Sequence, residues 1–210
     1  MNRLIVIGAG GHGCVVAEVA ISTARWSSVF HLDDQLRSPQ LSIGTEVLGR
    51  LSDLNSIIQR GDEVIVAVGD NETRLRIHDV ISGCSPLTHI VAPEATLSRS
   101  ASLGDGSILM PHSVVNAGAS IDQACLLNTG SIVEHGVRLG RGVHVGPGAI
   151  LGGDAEIGAR SLIGLGASVL PGVSLVNDVI LGAGAVAISD IDIPGTYLGA
   201  PARKYSGHSC

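Results

Sequence analysis

Leu127-Asn128-Thr129-Gly130-Ser131-Ile132-Val133-Glu134-His135-Gly136-Val137-Arg138-Leu139-Gly140-Arg141-Gly142-Val143-His144-Val145 sets an aliphatic residue at every sixth position: Leu127, Val133, Leu139 and Val145. The same register runs back to Val91 and on to Leu181, and each of its positions is Val, Ile or Leu. Four residues after each stands a mostly small or β-branched residue, such as Ser113, Ala119, Cys125, Ser131 or Val137. A period of six fits neither an amphipathic helix nor a series of hairpins. It fits short strands joined by tight corners, with one large aliphatic and one small residue per hexad pointing into a narrow interior. Gly140, Gly146, Gly152, Gly158 and Gly164 directly follow the aliphatic position, where corners are expected to need a permissive backbone. The segment from about Val91 to Ile193 therefore reads as a parallel β-helix, with no looped-out insertion between Val91 and Ala187.

Composition agrees with a regular, thin interior. Hydrophobic residues make up 45% of 210 positions, but aromatics only 2%, and there are 29 glycines. A formal charge of -6 and the lack of a basic stripe argue against nucleic acid or an anionic membrane as partner. No run approaches the ~20 apolar residues of a membrane-spanning helix. Cys14, Cys84, Cys125 and Cys210 lack metal-type spacing and read as thiols in a reducing cytoplasm.

Residues 1–88 are patterned differently. Leu4-Ile5-Val6-Ile7 reads as a strand ending in Gly8-Ala9-Gly10-Gly11-His12-Gly13, followed by an apolar helix. A second strand, Ser28 to Leu32, ends in Asp33-Asp34, and a third, Glu63 to Val68, ends in Gly69-Asp70-Asn71 before a helix carrying Arg74 and Arg76. This is a βαβ unit whose glycine turn suits a phosphate at a helix N-terminus, with carboxylates placed to grip ribose or base. It has room for about half of a doubly wound fold, so a single nucleotide fits better than a dinucleotide; a purely structural glycine turn is the third reading.

A short strand-Gly-Gly-His-Gly unit ahead of hexapeptide coils resembles the bacterial acyltransferases of nucleotide-linked amino sugars. That family includes the bacillosamine-pathway and perosamine N-acetyltransferases, with sialic acid O-acetyltransferases as relatives. The resemblance is carried by Gly8–Gly13, Asp33-Asp34, Leu127–His135, Leu165–Gly172 and Leu198–Arg203. It implies an α/β half-Rossmann-like domain over residues 1–88, binding the nucleotide sugar. A left-handed β-helix acyltransferase domain over 89–210 follows, in a homotrimer using acetyl-CoA as acyl donor and no metal. Gly10, Gly11, His12, Asp33, Asp34 and Gly69 match positions contacting the nucleotide sugar. His144, Gly153, Leu165 and Ala183 match the acetyl-CoA channel, with Arg203 and Lys204 near the nucleotide end of CoA.

His135 matches the family's general base, which would deprotonate the sugar amine as it attacks the thioester. Imidazole suits that task near neutral pH. A carboxylate follows this His in the bacillosamine enzyme, whereas this chain has Gly136, leaving Glu134 as a candidate support. Asn128 is expected to hold a corner or orient the acceptor. Cys125 falls on an inward position, which favours direct transfer over an acyl-enzyme. His78, His112 and His208 read as surface residues. N-acetylation of a UDP- or GDP-linked 4-amino sugar for surface glycan synthesis is the leading expectation. A sialic-acid-type O-acetyltransferase and a non-catalytic trimeric scaffold are its rivals, with a serine acetyltransferase and a nicotinamide enzyme further behind.

Overall fold

The structure, a computed structural model, describes residues 2–35, 44–83 and 85–206. Cys84, His208 and Cys210 lie outside the described residues. The first strand, β1 (Arg3–Ile7), carries four aliphatics in succession, all buried, as suits a central parallel strand covered on both faces. It is followed by α1 (Gly11–Ser22), β2 (Ser28–Leu32), β3 (Val47–Gly49), the short α2 (Leu54–Ile57), β4 (Glu63–Val66) and α3 (Asn71–Ser82). The sheet order is β3-β2-β1-β4, with every pair parallel. Alternation along β1 sends Leu4 and Val6 towards α1 and Ile5 and Ile7 towards Leu54 and Ile81 on the other face.

The chain then passes straight into the coil. Val64 donates to the carbonyl of Pro86 and accepts from the amide of Thr88, so this segment borders β4. The carbonyl of Thr88 in turn accepts from Gly106, already one rung into the coil.

The coil is a left-handed parallel β-helix of mostly two-residue strands, each paired with the strand 18 residues on. Leu109, Leu127, Val145, Ile163 and Leu181 stack on one face. Val115, Val133, Leu151, Val169 and Ala187 form the second, and Leu103, Ile121, Leu139, Ile157 and Leu175 the third. Three hexads thus make one turn of a triangular prism, whose interior is a single aliphatic core.

The corners work differently from the expectation. From Leu103 onward, left-handed backbone falls on the third residue after each aliphatic, for example Gly136 at φ 69° and Gly142 at φ 67°, with Asp154 at φ 60° in the same place. The glycines that directly follow the aliphatics are needed for close approach instead. A Cβ at Gly140 would lie 2.7 Å from the amide nitrogen of Ala159, one coil above, and at Gly152 2.6 Å from that of Pro171.

One part of the first face is covered by the N-terminal unit. Ile90, Ile108 and Leu126 point outward from the coil yet are buried, in one cluster with Val16, Val19 and Trp26. Beside this apolar contact, α3 presents a polar one. Asn71, Arg74, Leu75 and His78 recur at the i, i+3, i+4, i+7 spacing of a single helical face, and that face meets the coil. Asn71 Nδ2 donates to the carbonyls of Arg160 and Ser161, both at 3.0 Å. His78 is buried to 1%, not a surface residue as its sequence context suggested. Its ring lies over Gly106, where a Cβ would come within 2.5 Å, and its Nε2 is 3.2 Å from the carbonyl of Asp105.

Arg74 is fully buried, and each of its five N–H groups has a partner. Nε donates to Ala124 O (2.9 Å), Nη1 to Val68 O and Gly69 O (3.1 Å each), and Nη2 to Asn71 Oδ1 (2.8 Å) and Gly142 O (2.9 Å). Burial pushes its pKa down to about 10, which still leaves it charged at neutral pH. Arg74→Met keeps the volume and strands four carbonyls, so unfolding in urea should show a loss of more than ~3 kcal/mol. A wild-type midpoint would show that the coil tolerates the loss of this clamp.

Candidate active site

The glycine turn divides into structural and open positions. Gly8 sits at φ 112° with its missing Cβ 2.8 Å from Ala67 O, and a Cβ at Gly13 would strike Gly8 O at 2.1 Å. These two let strand and helix meet closely. A Cβ on Gly10 or Gly11 would meet nothing within 4 Å. Both face a cleft of about 390 Å³ that is also lined by His12, Asp33, Asp34 and Gly69. The sequence reading assigned all six of these residues to one ligand, and the fold brings them together.

Helix α1 starts here without an acidic residue or a side-chain cap, so its first amides and the positive end of its dipole stay available to an anion. The two carboxylates are partly committed. Asp33 accepts from the amides of Ala9 and Gln35, each at 2.8 Å, and Asp34 accepts from that of Leu51 at 3.0 Å. They shape the rim of the cleft as well as offering it charge.

A second cleft of about 250 Å³ shares Gly69 with the first and is lined by Asn71, Glu72, His144, Arg160 and Leu162. Asn128 Oδ1 accepts from Thr129 N at the corner (2.8 Å), while its Nδ2 lies 3.2 Å from His144 Nε2. Burial, reinforced by the charge of Arg74, pushes His12 and His144 down to about 4. His12 contributes to the shift on His144, so the two rings face a common region. A neutral His144 uses Nε2 as an acceptor for Asn128. The Nε2 of His12 is buried without a hydrogen-bond partner among the described residues. A larger surface groove, about 730 Å³ on the third face around Ser120, Arg138 and Glu156, holds none of the predicted site residues.

His135 stands elsewhere, at the exposed corner between the second and third faces, opposite the face that bears His144. A single chain does not bring these two histidines together. The ring of His135 rests on Gly153, one coil above, where a Cβ would lie 2.6 Å from its Cε1 and Nε2. Glu134 is turned away from the ring and accepts from Asn116 Nδ2 at 3.0 Å. The carboxylate that does approach His135 is Asp154, at 3.9 Å from Nδ1. Sequence reading missed it because the partner is a coil distant, nineteen residues on. Leu165 and Ala183 stack at the corner between the first and second faces, both exposed. Arg203 and Lys204 form an exposed antiparallel strand that ends the first face.

Cys125 is fully buried with its thiol pushed up to about 12, chiefly by desolvation, so it packs and does not react. Among the described residues no group of three or more His, Cys, Asp or Glu could hold a metal ion. Nor, among these residues, is any helix long and apolar enough to cross a membrane.

A β-helix of hexapeptide coils joined to a nucleotide-type cleft defines an acyltransferase of the hexapeptide-repeat class. Comparison with known proteins carries this further. A family model described as the PglD N-terminal domain matches residues 3–81. The acetyltransferase domain of PglB from Neisseria gonorrhoeae FA1090, solved in complex with acetyl coenzyme A, is 38% identical, with a TM-score of 0.92 over 97% of this chain and 98% of that one. A mutant of GDP-perosamine N-acetyl transferase from Caulobacter crescentus, in complex with CoA and GDP-perosamine, is 31% identical over 97% of each chain, with a TM-score of 0.91. WeeI from Acinetobacter baumannii AYE, at 24% identity and a TM-score of 0.87 over 97% of this chain and 99% of that one, shares the fold. The chain belongs to the hexapeptide-repeat sugar acyltransferases with a PglD-type N-terminal domain.

Burial also lowers His31, and the two histidines driven down furthest, His12 and His144, predict a pH dependence of stability. Their folded values near 4 lie below the ordinary 6.5, so between these limits the unfolded chain takes up protons that the folded chain refuses. Their contribution is complete above pH 6.5 and is lost as pH falls towards 4. Asp62, Asp70, Asp79 and Asp178, held below the usual carboxylate range, act only at lower pH. Calorimetry should show Tm falling by several degrees between pH 7 and 4.5. A His12→Asn/His144→Asn double variant should give a flatter profile.

Proposed function

We propose that this acyltransferase moves the acetyl group of acetyl-CoA to the amino group of a nucleotide-linked sugar. The acceptor is a UDP- or GDP-4-amino-dideoxy sugar made for surface glycan, and the enzyme works as a cytoplasmic homotrimer. One observation carries the reading: the anion-ready cleft at α1 and the cleft of His144 share Gly69 in their walls. A ligand with its phosphates at α1 and its sugar beyond Gly69 reaches the acyl-transfer surface of the coil. Residues 1–88 then act as the nucleotide-sugar domain and 89–210 as the acyl-transfer domain. The relatives support the choice of ligands, since one was solved with acetyl coenzyme A and another with CoA and GDP-perosamine.

In this reading His135 accepts a proton as the sugar amine attacks the thioester carbonyl. The carbon–sulfur bond of the tetrahedral intermediate then breaks, CoA leaves, and the imidazolium returns its proton to the thiolate. His144, kept neutral by burial and Arg74, faces the acetyl end of the donor. The donor runs past Leu165 and Ala183, with Arg203 and Lys204 meeting its phosphates. In a homotrimer a corner of one copy set against the first face of the next would supply both histidines to one acetyl group. The outward Val114, Ile132 and Ile150 give the second face an apolar surface for such packing.

Thiol release from acetyl-CoA with a panel of UDP- and GDP-4-amino sugars tests the proposal. Release with an amino sugar is expected, and His135→Ala should lose ~10²–10⁴-fold in turnover with nucleotide-sugar binding intact. Release only with a hydroxyl acceptor would move the assignment to O-acetylation. No thermal shift with acetyl-CoA would leave a binding scaffold.

A further inference from the structure

We propose that Asp154 is the positioning residue for His135, reaching it from the coil above and holding its imidazole with the proton on Nδ1 and the lone pair on Nε2. This rests on the reading of His135 as the base.

Three observations build the arrangement. Asp154 Oδ2 is the carboxylate oxygen that comes to 3.9 Å from His135 Nδ1. Its carboxylate occupies the space above Gly136, where a Cβ would lie 2.1 Å from Asp154 Oδ1, so any larger residue at 136 would expel it. The ring itself lies on Gly153, the residue before Asp154, and the amide of Asp154 donates to the carbonyl of His135 at 2.8 Å. Two glycines, one below and one beside the carboxylate, thus clear a seat for a ring and its partner on consecutive coils. Asp154 also holds a left-handed corner position (φ 60°) where glycine is the usual occupant, a conformation that Asp and Asn tolerate better than most residues. Glu134 reaches the other way, accepting from Asn116 Nδ2 one coil below.

At 3.9 Å the carboxylate stands close to the ring but is not hydrogen-bonded to it. Both side chains are largely exposed in the single chain, at 65% and 73%. Catalytic hydrogen bonds often tighten only once substrate is bound. A carboxylate on Nδ1 fixes the tautomer that leaves Nε2 free to accept the amine proton, and stabilises the imidazolium that results.

The test compares wild type, Asp154→Asn and Asp154→Ala. Asn keeps an acceptor oxygen and suits the left-handed corner, so it guards against simple misfolding. Asp154→Ala should lower kcat about tenfold with KM for both substrates within twofold, and Asp154→Asn should recover part of that loss. In 15N spectra of the neutral His135 ring with bound ligands, wild type should be mainly the Nδ1–H tautomer, and Asp154→Ala should lose that preference. A wild-type kcat in Asp154→Ala, or a loss of kcat with the tautomer unchanged, would overturn the proposal. If instead His135→Ala retains full turnover, the base reading fails first, whereas an inactive His135→Ala beside a normal Asp154→Ala condemns only the role of Asp154.

Discussion

A buried guanidinium held by carbonyls instead of a carboxylate is the constraint on which the rest of this molecule depends. Arg74 enters the seam between the N-terminal sheet and the coil and spreads its charge over four carbonyls and one amide oxygen. Two of those carbonyls, of Val68 and Gly69, belong to the rim of the nucleotide-type cleft, and two, of Ala124 and Gly142, belong to successive coils. One side chain therefore fixes the height of the cleft against the register of the prism. Its charge also reaches His12 and His144 and helps to keep both imidazoles neutral. Structure and electrostatics of the site thus share one source.

The coil contributes by arithmetic. Stacking at 18 residues puts each side chain over a neighbour one turn away in sequence, so a pair such as His135 and Asp154 is local in space and distant along the chain. The same spacing separates His135 and His144 by half a turn and sends them to opposite sides. Within this geometry a single chain does not offer both to one ligand.

The fold was legible because aliphatic residues at a fixed period of six admit one economical arrangement, and the unbroken apolar run Leu4–Ile7 suits a buried parallel strand. The cluster Gly10, Gly11, His12, Asp33, Asp34 and Gly69 was legible too, since the ends of adjacent parallel strands must converge. What escaped was polar burial. His78 looked like a surface residue because nothing in its own hexads or helix turn reveals a glycine at 106 waiting beneath it. Asn71, Arg74, Leu75 and His78 do carry a signal, the helical spacing of a core face, but it is written mostly in polar residues, which periodicity searches set aside. The left-handed corner was placed two residues early for a related reason: φ and inter-coil distance both select glycine, and sequence alone does not separate them.

The tail that ends the coil has a consequence of another kind. A parallel ladder of bare strands is a template on which further chains can add, and natural sheets protect such edges with charge. In the first face the last parallel strand, Gly195–Leu198, is followed by an antiparallel turn of chain whose two residues are Arg203 and Lys204. Reversal breaks the parallel pattern of hydrogen bonds, and the two cations make the new edge costly to cover. The segment proposed to meet the phosphates of CoA is thus also the stopper that keeps a six-residue repeat from growing into a fibre.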